Sequence, residues 1–359
     1  MAIMKLKEVQ VGMVLKNDVL TPRGQLIAKA GSVLNAQTLL HMSFYGIDNI
    51  EVEEVKGDIA PLEKPKVKTM SDRIRESADF KEFEKNYLQE IDHVKDSITD
   101  FVMRKGPLQK EELLSSTKKL FDGGKTNFGL LTMLHTLRNI DDSTFAHSVN
   151  VSIISRIIGK WLSYSDEELD DLALAGIMHD LGKSLIPKEI IQKPGRLTPG
   201  EYSIIKKHPE FGYKLIKDED ISEEVKLATL EHHERCDGKG YPFGKTREQI
   251  NRFSAIVGIA DVYDAMTADR CYREGVCPFE VLASLQRDGM DWFPPQYLLT
   301  FISGIAETYV DSSVMLSDDR IGRIVMIPQA AITRPLIQLD NGDFIALEEY
   351  TDLTIKAIL

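Results

Sequence analysis

The sequence predicts a mainly α-helical protein, in which a helical bundle follows a small mixed α/β N-terminal module and precedes a short β-rich C-terminal segment. Apolar residues recur at helical intervals through the middle of the chain, and helix start signals stand between these runs. Both ends carry short apolar stretches separated by turn residues, which is typical of strands. We therefore expect four segments, at residues 1–60, 61–125, 126–312 and 313–359.

The N-terminal module is predicted to combine short strands with one helix. Apolar residues at 12–15 and 26–28 flank turn residues at 22–24, and residues 49–55 alternate like a half-buried strand. A short helix is expected within 35–45, because Asn35 is a good N-terminal cap. We expect these strands to join those of the C-terminal segment in one β-rich body.

The segment 61–125 begins as a proline-containing linker and continues as a long amphipathic helix. Its apolar residues follow one another every three or four positions, which forms a seam along one helix face. The seam residues are Phe80, Phe83, Tyr87, Ile91, Val94, Ile98 and Phe101. Two alternatives stay open: the seam packs on the chain's own domain, or it binds a second copy and forms a homodimer through the 80–101 helix.

The bundle segment, residues 126–312, contains clear helix start signals. Capping boxes occur at Ser165–Glu168 and at Thr198–Glu201, and in the second box Pro199 occupies the first helical position. Ser222 is followed by two glutamates, which a helix N-terminus favours. Several helices are therefore expected in this segment.

The C-terminal segment, residues 313–359, returns to a strand pattern. Short apolar runs occur at 321–327, 335–339 and 344–347, and a further run ends the chain. The turn residues Asp340, Asn341, Gly342 and Asp343 are typical of a hairpin between two of these strands.

Composition narrows the location and the partners of the protein. The 359 residues contain no apolar run of the roughly 18 to 20 residues that a membrane-spanning helix needs, and the first residues do not resemble a signal peptide. Three cysteines without metal-type spacing favour a reducing compartment, so we expect a cytoplasmic protein. A net charge of −12 argues against long-range attraction of duplex nucleic acid.

The most informative feature is a set of histidines and carboxylates in the helical segment. A single histidine on an apolar helix face is usually an ordinary core residue, but burying this many imidazoles and carboxylates would be costly without a shared partner. Imidazole and carboxylate together suit divalent metal ions, and more than four such ligands suggest two ions. The candidate ligands are His147, His179, Asp180, His208, His232, His233 and Asp261.

These residues stand in motifs that resemble those of the HD-GYP phosphodiesterases, a bacterial branch of the HD metallohydrolase superfamily. The motifs are His147-Ser148-Val149-Asn150-Val151, His179-Asp180-Leu181-Gly182-Lys183, Lys193-Pro194-Gly195, His208-Pro209, His232-His233-Glu234-Arg235, Asp237-Gly238-Lys239-Gly240-Tyr241-Pro242, Asp261-Val262-Tyr263-Asp264 and Arg270-Cys271-Tyr272-Arg273. The order and spacing of the motifs agree with the family from about residue 140 to 275. The resemblance implies an HD-type helical bundle as the catalytic domain.

The resemblance also implies a ligand set for two divalent ions. One ion would be held by His147, His179, Asp180 and Asp261, and the other by His208, His232 and His233, with Asp180 bridging the two. The set contains no thiolate, so iron or manganese is favoured over structural zinc.

A third ion is not expected. Some members of the family place a metal-binding glutamate four residues before the first histidine, and here that position is Ser143.

The implied activity is hydrolysis of cyclic di-GMP to the linear pGpG, by in-line attack of a metal-bridging hydroxide on phosphorus. A second cut to GMP stays open as an alternative. Asp180 would then be catalytic as the bridge, and Lys183 would stabilise a phosphate as a point charge.

Four further residues are candidates for substrate binding. Gly240 permits a close backbone approach or a positive φ, and Tyr241 is suited to stacking on a base or bonding a phosphate. Arg270 and Arg273 are suited to a second phosphate or a guanine edge. Asp264 is a candidate for orienting a ligand histidine.

Two other functions stay open beside the cyclic di-GMP phosphodiesterase. The chain is also compatible with a sensor that binds the dinucleotide without turnover, although its intact ligand set argues against this. It is further compatible with an enzyme for another phosphoester, such as mixed cyclic GMP-AMP, because the motifs do not choose between guanine and adenine.

Overall fold

The computed structural model divides into two compact units, Met1–Lys68 and Thr69–Leu359, which are taken in turn. The structure describes residues 2–6, 9, 13–20, 26–34, 38–39, 42, 47, 49–53, 74–123, 126–137, 144–193, 195–267 and 277–359.

The first unit contains short antiparallel strands around a small core. The strands are β1 (Ala2–Lys5), β2 (Val14–Leu15), β3 (Val19–Leu20), β4 (Leu26–Ala28) and β5 (Asn49–Glu53). One sheet has the order β1-β5-β2, and β3 pairs with β4. Leu15, Leu34 and Met42 are fully buried in its core. The turn predicted at 22–24 and most of the helix predicted within 35–45 lie outside the described residues.

The second unit is mainly helical, as the sequence predicts, so the fold class is confirmed. Its described helices are α1 (Ala78–Arg104), α2 (Lys110–Gly123), α3 (Asn127–Leu137), α4 (Thr144–Trp161), α5 (Asp166–Met178), α6 (Lys188–Ile191), α7 (Pro199–Ile205), α8 (His208–Ile216), α9 (Glu223–Glu231), α10 (Arg252–Thr267), α11 (Pro278–Gly289) and α12 (Pro295–Thr308). Within the described ranges, every helix is too short or too polar to cross a membrane.

Helix α1 packs on the chain's own bundle. Ser77 caps its N-terminus by accepting a hydrogen bond from the Phe80 N–H at 3.1 Å. All seven seam residues are at most 9% exposed and belong to the same apolar core as the bundle helices. Of the two alternatives for the seam, packing on the chain's own domain is therefore the one observed. A homodimer through the 80–101 helix stays a prediction.

Close contact between α4 and α5 forms the centre of the bundle. A Cβ atom added to Gly176 would lie 2.4 Å from the Ser152 Cα, so only glycine allows the two helices this approach. Both predicted capping boxes are confirmed, at the starts of α5 and α7. In each box, the serine or threonine and the glutamate exchange hydrogen bonds across the first helical turn.

The C-terminal residues form a five-stranded antiparallel sheet of their own. Its strands are β6 (Ser313–Leu316), β7 (Ile321–Met326), β8 (Leu336–Leu339), β9 (Phe344–Ala346) and β10 (Ile355–Ile358), in the order β10-β6-β7-β8-β9. The predicted hairpin turn joins β8 to β9, with Gly342 at φ +89°. The expected single β-rich body is wrong, because the strands of the two ends belong to separate sheets in separate units.

Candidate metal centre

The ends of several bundle helices bring the predicted ligands together. His147 lies in the first turn of α4, whereas His179 and Asp180 directly follow α5. The remaining ligands lie at the start of α8, directly after α9 and within α10; they are His208, His232, His233 and Asp261. Helix ends suit this role because their last carbonyls have no partner within the helix and can accept a hydrogen bond from a histidine ring.

Backbone hydrogen bonds fix the rings of three buried histidines. Nδ1 of His179 donates to the Gly176 carbonyl at 2.7 Å, and Nδ1 of His208 donates to the Ile205 carbonyl at 2.8 Å. Nδ1 of His232 lies 3.1 Å from the Thr229 carbonyl. With the proton on Nδ1, each Nε2 atom presents a lone pair, which is the form that binds a metal ion.

The seven donors divide into two groups. In each group, one ligand atom from every residue lies within 4.8 Å of all the others. The first group contains His147, His179 and Asp261, and the second contains Asp180, His208, His232 and His233. This cluster of imidazoles and carboxylates fits a dinuclear site for divalent metal ions.

Asp180 belongs to the second group but also faces the first. Its Oδ2 atom is 3.4 Å from Nε2 of His179 in the first group, and its Oδ1 atom is 3.2 Å from Nε2 of His208 in the second. The two oxygens of one buried carboxylate therefore face nitrogen donors of different groups.

The second group lacks the protons that would allow its atoms to bond one another. Nε2 of His208 and Nε2 of His232 are 3.2 Å apart, yet both rings already donate from Nδ1. Oδ1 of Asp180 and Nε2 of His179 are buried and have no hydrogen-bond partner among the residues that the structure describes. Facing lone pairs that are buried without protons call for a cation.

Electrostatics keep the second group in its metal-binding form. Burial, followed by the neighbouring His233, lowers the pKa of His232 well below its usual value. Burial likewise lowers the pKa of His233 to about 4. Although burial raises the pKa of Asp180, the charge of Lys183 outweighs this effect and holds the pKa well below its usual range. At neutral pH His232 and His233 are therefore neutral and the Asp180 carboxylate is ionised, as metal ligation requires.

His147 has carboxylates on both sides of its ring. Nε2 lies 3.0 Å from Oδ1 of Asp261, and Nδ1 lies 2.7 Å from Oδ2 of Asp264. Burial alone would lower the pKa of His147, but hydrogen bonds with these two carboxylates raise it to about 10. A positive charge is therefore strongly favoured here, and a metal ion between His147 and Asp261 would supply it in place of a proton.

The predicted substrate-binding residues that the structure describes lie beside the donors. The ammonium of Lys183 is 2.5 Å from Oδ2 of Asp180, and its side chain is 30% exposed. The Tyr241 ring lies 4.6 Å from the His233 ring, with 32° between the planes. Gly240 serves a close backbone approach, since an added Cβ would lie 2.4 Å from the Arg235 nitrogen.

Three residues for which the sequence made predictions, Arg270, Arg273 and Ser143, lie outside the described residues. Two buried acids next to the histidine pair, Glu231 and Glu234, were not predicted to have a role, and both bond the loop that carries Tyr241. Their position in the sequence could have pointed to a role, since one directly precedes and the other directly follows two adjacent ligand histidines.

Comparison with known proteins places these residues in a family. The family model described as HD domain matches residues 110–296. The cyclic di-GMP phosphodiesterase PA4108 of Pseudomonas aeruginosa is 32% identical over 213 residues, which are 58% of this chain and 50% of that protein. The cyclic di-GMP phosphodiesterase PdeB of Borreliella burgdorferi is 31% identical over 209 residues, covering 58% of this chain and 55% of that one.

A further relative is named for a different cyclic dinucleotide. The 3′3′-cGAMP-specific phosphodiesterase 1 of Vibrio cholerae is 32% identical over 166 residues, which are 44% of this chain and 38% of that protein. The chain thus spans about half the length, or less, of these curated relatives.

Proposed function

This chain belongs to the HD domain family, and from that premise we propose that it is a metal-dependent phosphodiesterase that hydrolyses cyclic di-GMP. The observation that carries the proposal is the position of Asp180, whose two carboxylate oxygens face two separate groups of nitrogen donors. Relatives named as cyclic di-GMP phosphodiesterases support the choice of substrate. The proposed catalytic residues all lie in the segment 126–312.

The donor geometry supports an assignment of ligands to two ions. His147, His179 and Asp261 would hold one ion, His208, His232 and His233 would hold the other, and Asp180 would bridge them. The absence of thiolates from this set favours iron or manganese. When bound, two such ions lower the pKa of a water molecule and offset negative charge on a phosphodiester.

The chain's own residues prepare the site for an anionic substrate. Burial lowers the pKa of Lys183, but the charge of Asp180 outweighs this effect and raises it, so the ammonium stays protonated. Its partly exposed side chain places a permanent positive charge beside the bridge, where it would meet a phosphate oxygen. This positive charge is needed locally because the chain as a whole carries a net charge of −12.

The rim residues would bind the rest of the dinucleotide. The half-buried Tyr241 would stack on a base or donate to a phosphate, and Arg270 and Arg273 would bind the second phosphate or a guanine edge. Asp264 would orient His147 through the 2.7 Å contact with Nδ1. Hydrolysis then adds water across one P–O3′ bond and opens the ring to pGpG, and a second cut would yield GMP.

Mixed cyclic GMP-AMP is the second candidate substrate, because relatives from Vibrio cholerae are named for it. The reaction would be the same, and only recognition of one base would differ. Parallel assays with cyclic di-GMP, 3′3′-cGAMP and cyclic di-AMP decide between the candidates through the ratios of kcat/KM.

The proposed function is tested by anaerobic purification, metal analysis, and incubation with cyclic di-GMP in Mn²⁺ or Fe²⁺ beside an Asp180→Ala control. We expect about two metal ions per chain and release of pGpG by the wild type alone. Two ions with dinucleotide binding but no turnover would instead indicate a sensor. A chain that binds neither metal nor dinucleotide would contradict both functions.

A further inference from the structure

Two buried glutamates bracket the histidine pair of the second donor group. Glu231 is 1% exposed and Glu234 is 3% exposed, and neither belongs to the two donor groups. A buried carboxylate is costly to keep unless it is paired or hydrogen-bonded, so its partners reveal its role.

Glu234 bonds the backbone directly beyond Tyr241. One carboxylate oxygen accepts the N–H of Phe243 at 2.6 Å, and the other accepts the N–H of Lys245 at 2.8 Å. Charge-assisted hydrogen bonds of this kind are about twice as strong as neutral ones. The donors follow Tyr241 by two and four residues, so this carboxylate fixes the path of the loop as it leaves the tyrosine.

The loop is also fixed on the other side of Tyr241. The Tyr241 N–H donates to the His233 carbonyl at 3.2 Å. Gly240 packs so closely that an added Cβ would lie 2.5 Å from the Glu234 Cα. The result is a tyrosine ring held 4.6 Å from the ring of His233, a ligand of the second group.

Glu231 supports the same loop farther along the chain. Its carboxylate accepts from the Lys245 ammonium at 2.5 Å and from the Asn251 N–H at 3.3 Å. The glutamate before the histidine pair and the glutamate after it therefore both hold the segment that follows Tyr241.

We propose that Glu234 is a positioning residue that holds Tyr241 against the second donor group and thereby sets the affinity for the cyclic dinucleotide, while metal binding does not depend on it. This inference rests on the proposed function for the identity of the substrate. The placement of the loop by Glu234 is independent of the substrate.

The test is Glu234→Gln, which keeps the shape of the side chain and one acceptor oxygen. Its amide nitrogen would face a backbone N–H, so one hydrogen bond is lost. We expect KM for cyclic di-GMP to rise at least about tenfold, as for loss of one hydrogen bond to a charged group, with wild-type metal content. The matched control is Glu248→Gln, an exposed glutamate of the same region, which should leave KM unchanged.

A double-mutant cycle shows whether Glu234 acts through Tyr241. If it does, Glu234→Gln should change KM by less than about twofold when Tyr241 is already alanine. An equal rise of KM in both backgrounds would overturn the inference, as would loss of metal from the single variant.

Hydrogen exchange separates this inference from the proposed function. In Glu234→Gln, the backbone amides of residues 237–241 and 243–246 should exchange at least about tenfold faster than in the wild type, whichever substrate the protein takes. A wild type that is inactive on cyclic dinucleotides would overturn the proposed function alone. Unchanged exchange in the loop would overturn the inference alone.

Discussion

Asp264 and His147 are joined by a contact of 2.7 Å between Oδ2 of the carboxylate and Nδ1 of the ring, on the side of the ring opposite Asp261. The aspartate lies one helical turn beyond Asp261 on the same helix, α10, so one helix supplies a carboxylate to each nitrogen of the ring. Such a carboxylate fixes the orientation of the imidazole and increases its basicity as a ligand.

Asp264→Asn should therefore weaken the metal site that contains His147 by about 10- to 100-fold, the usual effect of losing such a partner. The second site should keep its affinity, because Asp264 does not contact its donors and backbone carbonyls orient His208 and His232. Metal titration of the apoprotein at the two sites measures this. The control is Asp288→Asn, a surface aspartate on α11 that pairs with Arg287. Equal weakening of both sites would contradict the assignment of Asp264 and His147 to one metal site.

Asp180→Asn should lower the occupancy of both metal sites, whereas His208→Ala should lower that of the second site alone. The reason is that the oxygens of Asp180 face both donor groups, and His208 belongs to one. Metal content per chain, measured after equilibrium dialysis, distinguishes the two variants. An Asp180→Asn protein that lost one ion and kept the other would show that this carboxylate is not a bridge.

Tyr87→Asp should destabilise the protein by about 3 kcal/mol or more, because it would bury a charge in the apolar seam. The wild-type ring is 3% exposed, and its hydroxyl donates to Oδ1 of Asn150 at 2.7 Å. Urea unfolding gives the change in the free energy of unfolding. Lys85→Asp, on the exposed face of α1, is the matched control and should cost less than about 0.5 kcal/mol. A fully stable Tyr87→Asp protein would show that the seam is not part of the core.

The free energy of unfolding of the protein should fall in acid, in part because Asp170 becomes protonated. Burial raises the pKa of Asp170, but hydrogen bonds from Lys118 and Arg156 outweigh it and lower the pKa below that of the unfolded chain. A group with a lowered folded pKa stabilises the protein above its unfolded pKa, about 4, and loses this effect as the pH falls through the folded value.

Asp170→Asn should therefore be less stable than the wild type at pH 7 by about 1–3 kcal/mol, the scale of hydrogen bonds to charged groups. The difference should shrink steadily below about pH 4 as the wild-type carboxylate gains its proton. Urea unfolding of both proteins at pH 7 and at pH 3 measures this difference in the free energy of unfolding. A difference that is the same at pH 7 and pH 3 would show that Asp170 does not titrate with folding.

The sequence by itself determined the donors of the candidate metal centre and the starts of three bundle helices, at Ser165, Thr198 and Ser222. Seven imidazole and carboxylate donors, each in its own motif, mark a metal site because such groups are costly to bury in any other way. Capping boxes such as Ser165 with Glu168 are local, since both partners lie within one helical turn, and the structure shows them as predicted.

Only the tertiary structure decided which groups face one another. Periodicity identifies the inward face of a helix but not what lies across from it, so the seam of α1 was compatible both with the bundle and with a second copy. The structure showed it buried in the bundle. For the same reason, the spacing of Glu234 gave no sign that its carboxylate reaches Phe243 and Lys245, because that contact depends on how the loop folds back on the helix end.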